Sequence, residues 1–223
     1  MTLLSSLFGQ ESCRRTRVMW HNSLISLRLP GDMPAVPPLS DETVSLQLTK
    51  PVVLVGLMGA GKTSTGRRLA KRLGVPFADA DDEIEEAAGM RIADIFEIYG
   101  EAEFRDGERK VMQRLLSGPP HVLATGGGAF MNDETRALVK ETSTSVWLQA
   151  DLATHVRRTA MRDTRPILRQ GNPEDILRKL LKERSPVYAQ ADITVVSDDG
   201  ALADTAARII DALATFSQEG GII

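Results

Sequence analysis

The string Gly56-Leu57-Met58-Gly59-Ala60-Gly61-Lys62-Thr63 constrains this chain more than any other feature. It fits G-x-x-x-x-G-K-[ST], and its flanks have the right character. The apolar run Val52-Val53-Leu54-Val55 leads in, and the helical pattern Arg67-Arg68-Leu69-Ala70-Lys71-Arg72-Leu73 leads out. Strand, glycine-rich turn and helix together make an anion cradle. Glycines let successive backbone N–H groups curl around phosphate, and the helix N-terminus adds positive dipole. In such a loop Gly59, Ala60, Gly61 and Ser64 line the phosphates, Lys62 reaches the β- and γ-phosphates, and the Thr63 hydroxyl can bind Mg²⁺.

The 223 residues suffice for one α/β domain with a buried core. A net charge of −3 argues against a nucleic-acid binder. No window approaches 18 uninterrupted apolar residues, so no membrane-spanning helix is expected. Cys13 is the single cysteine, which fits a reducing compartment and a cytoplasmic protein.

Residues 1–49 read as an N-terminal extension without regular structure. Up to Pro30 its only acidic residue is Glu11, against Arg14, Arg15, Arg17 and Arg28, and prolines at 30, 34, 37 and 38 follow. A disordered tail, or a true start at Met19 or Met33, competes with a transit peptide that would place the protein in an organelle. From Lys50 strands alternate with helices, which implies right-handed crossovers and a parallel sheet. The domain is expected over 50–216, with 217–223 a C-terminal tail.

Within that domain, Gly74–Ala78 reads as a short second strand running into Asp79-Ala80-Asp81-Asp82, where aspartates suit a strand end and a helix N-cap. One helix closes at Gly89, another runs from Ile92 to Gly100, and a third starts near Glu101. In the third, Arg105 and Glu108 share a face. His121–Thr125 is a buried strand ending in Gly126-Gly127-Gly128. That triplet is either a flexible loop or a place where a ligand meets the main chain. Ser145–Leu148 and Ile193–Val196 complete the strands. Between them, Arg157, Arg158, Arg162, Arg165 and Arg169 form either a solvated face or a closing lid. Asn172-Pro173-Glu174-Asp175 is a helix start.

Six strings together resemble the shikimate kinase family. They are Gly59–Thr63, Asp79-Ala80-Asp81, Phe104-Arg105-Asp106-Gly107-Glu108, Ala124–Gly128, Arg165-Pro166-Ile167-Leu168 and Arg184-Ser185-Pro186-Val187-Tyr188, in the family's order from about Pro51 to Val196. The resemblance implies a P-loop kinase of the nucleoside-monophosphate-kinase type: a five-stranded parallel sheet in order 2-3-1-4-5, flanked by helices, with a lid and a substrate-binding segment. It implies transfer of the ATP γ-phosphate to shikimate, with Mg²⁺ as cofactor, by a monomer needing no nucleic acid or membrane.

By the same resemblance, Lys62 and the loop amides hold ATP phosphates. Thr63 ligates the metal, and Asp79 supports it directly or through water. Asp81 binds the shikimate hydroxyls and acts as base. Arg105 and Arg184 clamp the carboxylate, with Glu108 holding Arg105, and Gly127 gives a backbone N–H. Arg165 swings in from the lid, and Arg158 lies near the adenine. The chain departs from the family in having Thr63 where serine is frequent. Ser197-Asp198-Asp199-Gly200 is acidic where a basic adenine contact is frequent, so that contact is unassigned. The extension before Lys50 has no counterpart in compact members. A related kinase acting on gluconate, or a nucleotide sensor without transfer, are the alternatives. The Phe104–Glu108 and Thr125–Gly128 strings speak against the first. The joint presence of Lys62, Asp79, Asp81 and Arg165 speaks against the second.

Overall fold

The computed structural model describes residues 15–20, 23–28, 46–160, 171–198 and 202–223. The extension contains an antiparallel hairpin, β1 (Arg15–Trp20) and β2 (Ser23–Arg28), where the sequence reading expected no regular structure. The pairing has a local reason. Each strand carries β-branched or aromatic residues in a short run, and only two residues separate the strands.

The domain is built on β3 (Val52–Val55), whose four side chains are fully buried. A central parallel strand is covered on both faces and so is apolar throughout. Val53 and Val55 enter the cluster on one side of the sheet, and Val52 and Leu54 the cluster on the other, as the two-residue period of a strand requires. Each such Val or Leu contributes about 1.5–3 kcal/mol by leaving water.

The other strands are β4 (Phe77–Asp79), β5 (Val122–Ala124), β6 (Thr144–Gln149) and β7 (Ile193–Val196). All pair in parallel, in the order β4-β5-β3-β6-β7. Counted within the domain this is the expected 2-3-1-4-5. The strand order reverses between β3 and its neighbours, which opens a crevice at the strand C-termini where ligands bind in such sheets.

Helix α1 (Lys62–Leu73) follows the phosphate loop, and α2 (Ala80–Ala88) follows β4 directly. Asp79 caps α2 by accepting a hydrogen bond from the Asp81 N–H, and Gly89 ends it in the left-handed conformation. Helix α3 (Ile92–Leu116) is interrupted at Gly100, where φ is 82° and ψ 177°. Glycine adopts this without strain, so the two halves meet at the break that the apolar spacing predicts. Beyond it, Phe104, Val111, Met112, Leu115 and Leu116 are buried as expected.

A 3-10 turn (Ala129–Met131) leads to α4 (Asp133–Thr142), which the sequence reading left without an element. Its signals are local: the Asn132 side chain caps Thr135 N–H, and Asp133 and Glu134 fill the first turn. Then come α5 (Leu152–Ala160), α6 (Pro173–Tyr188) and α7 (Leu202–Gln218). Asn172 caps α6 with Pro173 in the first turn, as its sequence predicts. The expected tail, 217–223, is partly the end of α7, and its last residues are docked. Thr49 N–H donates to the Ile223 carbonyl at 2.6 Å, Thr144 Oγ1 donates to the Ile222 carbonyl at 2.7 Å, and the Ile223 side chain joins the core.

Candidate active site

The phosphate loop joins β3 to α1, and Gly61, at φ 92°, caps α1 in the left-handed region that a side chain would strain. Lys62 is almost fully buried. Its ammonium donates to the Gly56 carbonyl at 2.7 Å and the Leu57 carbonyl at 3.1 Å. The other carbonyls of the loop also have donors. His155 Nδ1 is 2.7 Å from the Met58 oxygen. Arg158 Nη1 lies 3.4 Å from the Gly59 oxygen and 3.3 Å from the Ala60 oxygen, and Ser197 Oγ donates to the Ala60 oxygen at 2.8 Å. Arg158 also donates to Ser197 Oγ at 3.0 Å and to the Asp198 carbonyl. Carbonyls thus turn outward onto protein donors. Ser64 follows in the first turn of α1.

Thr63 and Asp79 meet at the mouth of the loop. Thr63 Oγ1 donates to Asp79 Oδ2 at 2.7 Å, while Asp79 Oδ1 holds the Asp81 N–H. A hydroxyl and a buried carboxylate beside a phosphate cradle are the hard oxygen donors that Mg²⁺ takes alongside nucleotide phosphates. No cluster of three or more His, Cys, Asp or Glu that could hold a metal ion occurs among the described residues.

On the other side of the crevice stand Asp81, Arg105, Glu108, Gly126–Gly128 and Arg184. Arg105 Nη1 donates to Glu108 Oε2 at 2.7 Å, and Glu101 accepts from the outer edge of the guanidinium at 3.3 Å. The triple glycine is what lets these groups converge. A Cβ on Gly128 would sit 2.7 Å from both Arg105 Nη atoms, and one on Gly126 would sit 2.7 Å from Asp81 Oδ1 and 3.4 Å from Glu108 Oε1. The triplet is thus crowded by the protein's own charged groups, which come as close to its backbone as a Cβ would. The Gly127 carbonyl accepts from Arg184 Nη1 at 2.9 Å and from the Tyr188 hydroxyl at 2.5 Å.

Electrostatically the acceptor side is under tension. Burial pushes the Glu108 carboxyl above its ordinary range, opposed by the Arg105 charge and reinforced by Asp81. Burial pulls the Arg105 guanidinium down, but Glu108 and Glu101 more than compensate and it stays raised. The Tyr188 phenol is raised by burial, against the neighbouring Arg184 charge. On the donor side burial lowers His155, and the charges of Lys62 and Arg158 lower it further.

The structure brings Lys62, Thr63, Asp79, Asp81, Arg105, Glu108, Gly127 and Arg184 to one crevice from segments far apart in sequence. Arg158 lies at the outer edge of the loop beside β7's end. Arg165, Arg162 and Arg169, and with them the lid expectation, lie outside the described residues. Three site residues carry no motif of their own. His155 and Ser197 touch the loop only through long-range contacts. Tyr188 stands in the sequence only as the end of a matching string, although its four-residue spacing from Arg184 puts both on one helix face.

The family model described as "Shikimate kinase" matches residues 58–214. A "Shikimate kinase" of Paramagnetospirillum magneticum is 53% identical over 173 residues, covering 78% of this chain and 89% of its own. One of Caulobacter vibrioides is 54% identical over 161 residues, 72% of this chain and 80% of its own. Among solved structures, "Shikimate kinase from Acinetobacter baumannii in complex with shikimate" superposes with a TM-score of 0.73 at 41% identity, covering 75% of this chain and 94% of its own. A gluconokinase from Sinorhizobium meliloti reaches 0.50 at 19% identity, a likeness of fold alone. The match begins inside the phosphate loop, takes in both halves of the crevice and ends in α7: the chain belongs to the shikimate kinase family.

Proposed function

We propose that this chain transfers the γ-phosphoryl group of ATP to the 3-hydroxyl of shikimate, giving shikimate 3-phosphate and ADP. The observation that carries this reading is the acceptor half of the crevice. A carboxylate, Asp81, and two guanidiniums, Arg105 and Arg184, flank bare glycine backbone beside the phosphate loop. Shikimate offers a carboxylate and vicinal hydroxyls, which require both kinds of group.

Each residue has a role in that reading. Arg105 and Arg184 bind the shikimate carboxylate, since planar guanidiniums match carboxylates bidentately. Glu108 keeps Arg105 in place, and the Gly127 N–H helps fix the ring. Asp81 orients the 3-hydroxyl and takes its proton as the oxygen attacks the γ-phosphorus. In the same step the bond from that phosphorus to the β,γ-bridging oxygen breaks, and ADP leaves. Lys62 shifts from its two carbonyls to the β- and γ-phosphates, joined by the loop amides from Gly59 to Ser64. Arg165 meets the transferring group, and Arg158 lies against the adenine. Mg²⁺, entering with ATP, would be held by Thr63 Oγ1 and, directly or through water, by Asp79, and would supply charge that neutralises the phosphates. Catalysis is then mostly positioning and charge stabilisation.

Gluconate is set aside because relatives 53% and 54% identical to this chain are shikimate kinases, whereas the gluconokinase structure shares 19% identity and the fold alone. We place the enzyme in the cytoplasm as a monomer. No helix among the described residues is long and apolar enough to cross a membrane. A coupled ADP-release assay with shikimate and with gluconate tests the reading. Turnover with shikimate is expected. Its absence, both in the full chain and in a chain trimmed before Leu46, which keeps the Thr49 contact with Ile223, overturns the proposal.

A further inference from the structure

The carbonyl side of the phosphate loop, not its amide side, holds the unassigned feature. Five consecutive carbonyls, Gly56 to Ala60, each accept from a side chain. Lys62 serves the first two, and Arg158 serves the last two, joined at Ala60 by Ser197. The middle one, Met58, accepts from His155 Nδ1 at 2.7 Å, and His155 is 1% exposed. A carbonyl oxygen can only accept, so Nδ1 carries the proton. The contact is tight on both sides: a Cβ on Gly59 would lie 3.4 Å from His155 Nδ1 and 3.0 Å from the Thr159 methyl. Thr159 in turn donates to the His155 carbonyl at 2.7 Å, which fixes this turn of α5.

A trans peptide carries its C=O and N–H on opposite sides. Holding the Met58 oxygen against α5 therefore turns the Gly59 N–H away from α5. We propose that His155 is a positioning residue for ATP: its Nδ1–H pins the Met58–Gly59 peptide so that the Gly59 N–H is presented to the nucleotide phosphates. The imidazole acts as a neutral donor. A second proton would add positive charge beside Lys62 and Arg158, the groups that already depress its basicity. His155 touches no substrate; it acts through one peptide group. The proposal rests on the nucleotide occupying this loop and not on the identity of the acceptor.

Two substitutions separate positioning from packing. In His155→Asn the amide nitrogen replaces Nδ1 with a donor at nearly the same place. In His155→Leu the volume is kept and the donor is lost. The probes are KM for ATP and for shikimate by ADP release, the affinity for MgADP by titration calorimetry, and thermal unfolding. A net hydrogen bond is worth about 1 kcal/mol, or about five-fold in an equilibrium constant. His155→Leu is expected to weaken ATP and MgADP about 5- to 10-fold with KM for shikimate unchanged, and His155→Asn to recover most of that loss. The recovery is expected even if both variants melt lower than the parent to the same degree. Unchanged nucleotide affinity in His155→Leu overturns the proposal. So does an equal loss for both substrates, or an Asn variant as weak as the Leu variant. A parent that binds MgADP but does not turn over shikimate would overturn the function proposed above and leave this one standing.

Discussion

The two walls of the crevice are built on opposite plans. The donor wall is one continuous stretch, residues 56 to 63, whose carbonyls are tied down by side chains from α1, α5 and the end of β7 and whose amides are left for the proposed nucleotide. The acceptor wall has almost no continuity. Asp81 comes from α2, Arg105 and Glu108 from α3, the glycines from the end of β5, and Arg184 and Tyr188 from α6. There charged side chains converge, and bare backbone makes room for them. Recognition of a phosphate common to many substrates needs only amides and a dipole. Recognition of one hydroxy acid needs charges at fixed separations, and those are supplied by folding.

Three experiments press on that contrast. The largest effect is expected on the donor wall. Lys62→Met removes the only loop ammonium and should lower kcat by about 10³-fold or more, the scale of losing a charge-stabilising group at a reacting centre. The circular dichroism spectrum should be unchanged. Retained turnover would remove Lys62 from the chemistry.

The second experiment asks whether the acceptor wall is as separable as it looks. Arg105→Ala should raise KM for shikimate by about 10- to 100-fold, the worth of a charged hydrogen-bonded contact, with KM for ATP nearly constant. Gly128→Ala should act the same way with a smaller rise, because its methyl would meet the Arg105 guanidinium at 2.7 Å. The clash is with the tip of a flexible side chain, so the fold should survive. Equal loss for ATP and shikimate in either variant would mean that the two walls are not independent.

The smallest effect lies outside both walls. His121 is 1% exposed, and burial lowers its basicity below the ordinary value of 6.5. Its stabilising contribution as a neutral ring is thus complete above about pH 6.5 and lost as pH falls through its lowered folded value, because the unfolded chain takes up the proton first. His121→Asn keeps a donor near the Pro119 carbonyl and cannot titrate. Melts between pH 7 and pH 5 should show the parent losing up to about 1.4 kcal/mol per pH unit more than the variant. Kinetics at pH 7 should match. Parallel melting curves would exclude His121 as a source of acid sensitivity.

The same division explains what could be read before the structure. β3 was legible to the residue, because a buried parallel strand is a bare apolar run and Lys62 marks the helix after it. The break at Gly100, the caps at Asp79 and Asn172, and the end at Gly89 were legible because caps and left-handed turns are local chemistry. Helix α4 was passed over: its apolar residues are few, and most of its evidence is in polar first-turn residues. The shared face of Arg105 and Glu108 and the bare triplet are readable locally, but that Asp81, Arg105, the glycines and Arg184 form one site is expected only from the resemblance. Nothing in the spacing of Arg105 and Gly128 predicts that the guanidinium seats where a side chain on Gly128 would be. His155, Ser197 and Tyr188 stayed silent for a related reason. Each makes its contact across a separation of 60 residues or more, and no periodic pattern encodes that. The hairpin β1–β2 has no apolar periodicity long enough to separate it from a basic, serine-rich leader.

The resting place of Lys62 bears on the heat of nucleotide binding. Its ammonium has already left bulk water and lies on two carbonyl oxygens. In the proposed function the lysine exchanges one set of oxygens for another when phosphate arrives, and sheds little hydration of its own. The enthalpy of binding at this residue is then a difference between two bonded states, and a small calorimetric signal is compatible with tight capture.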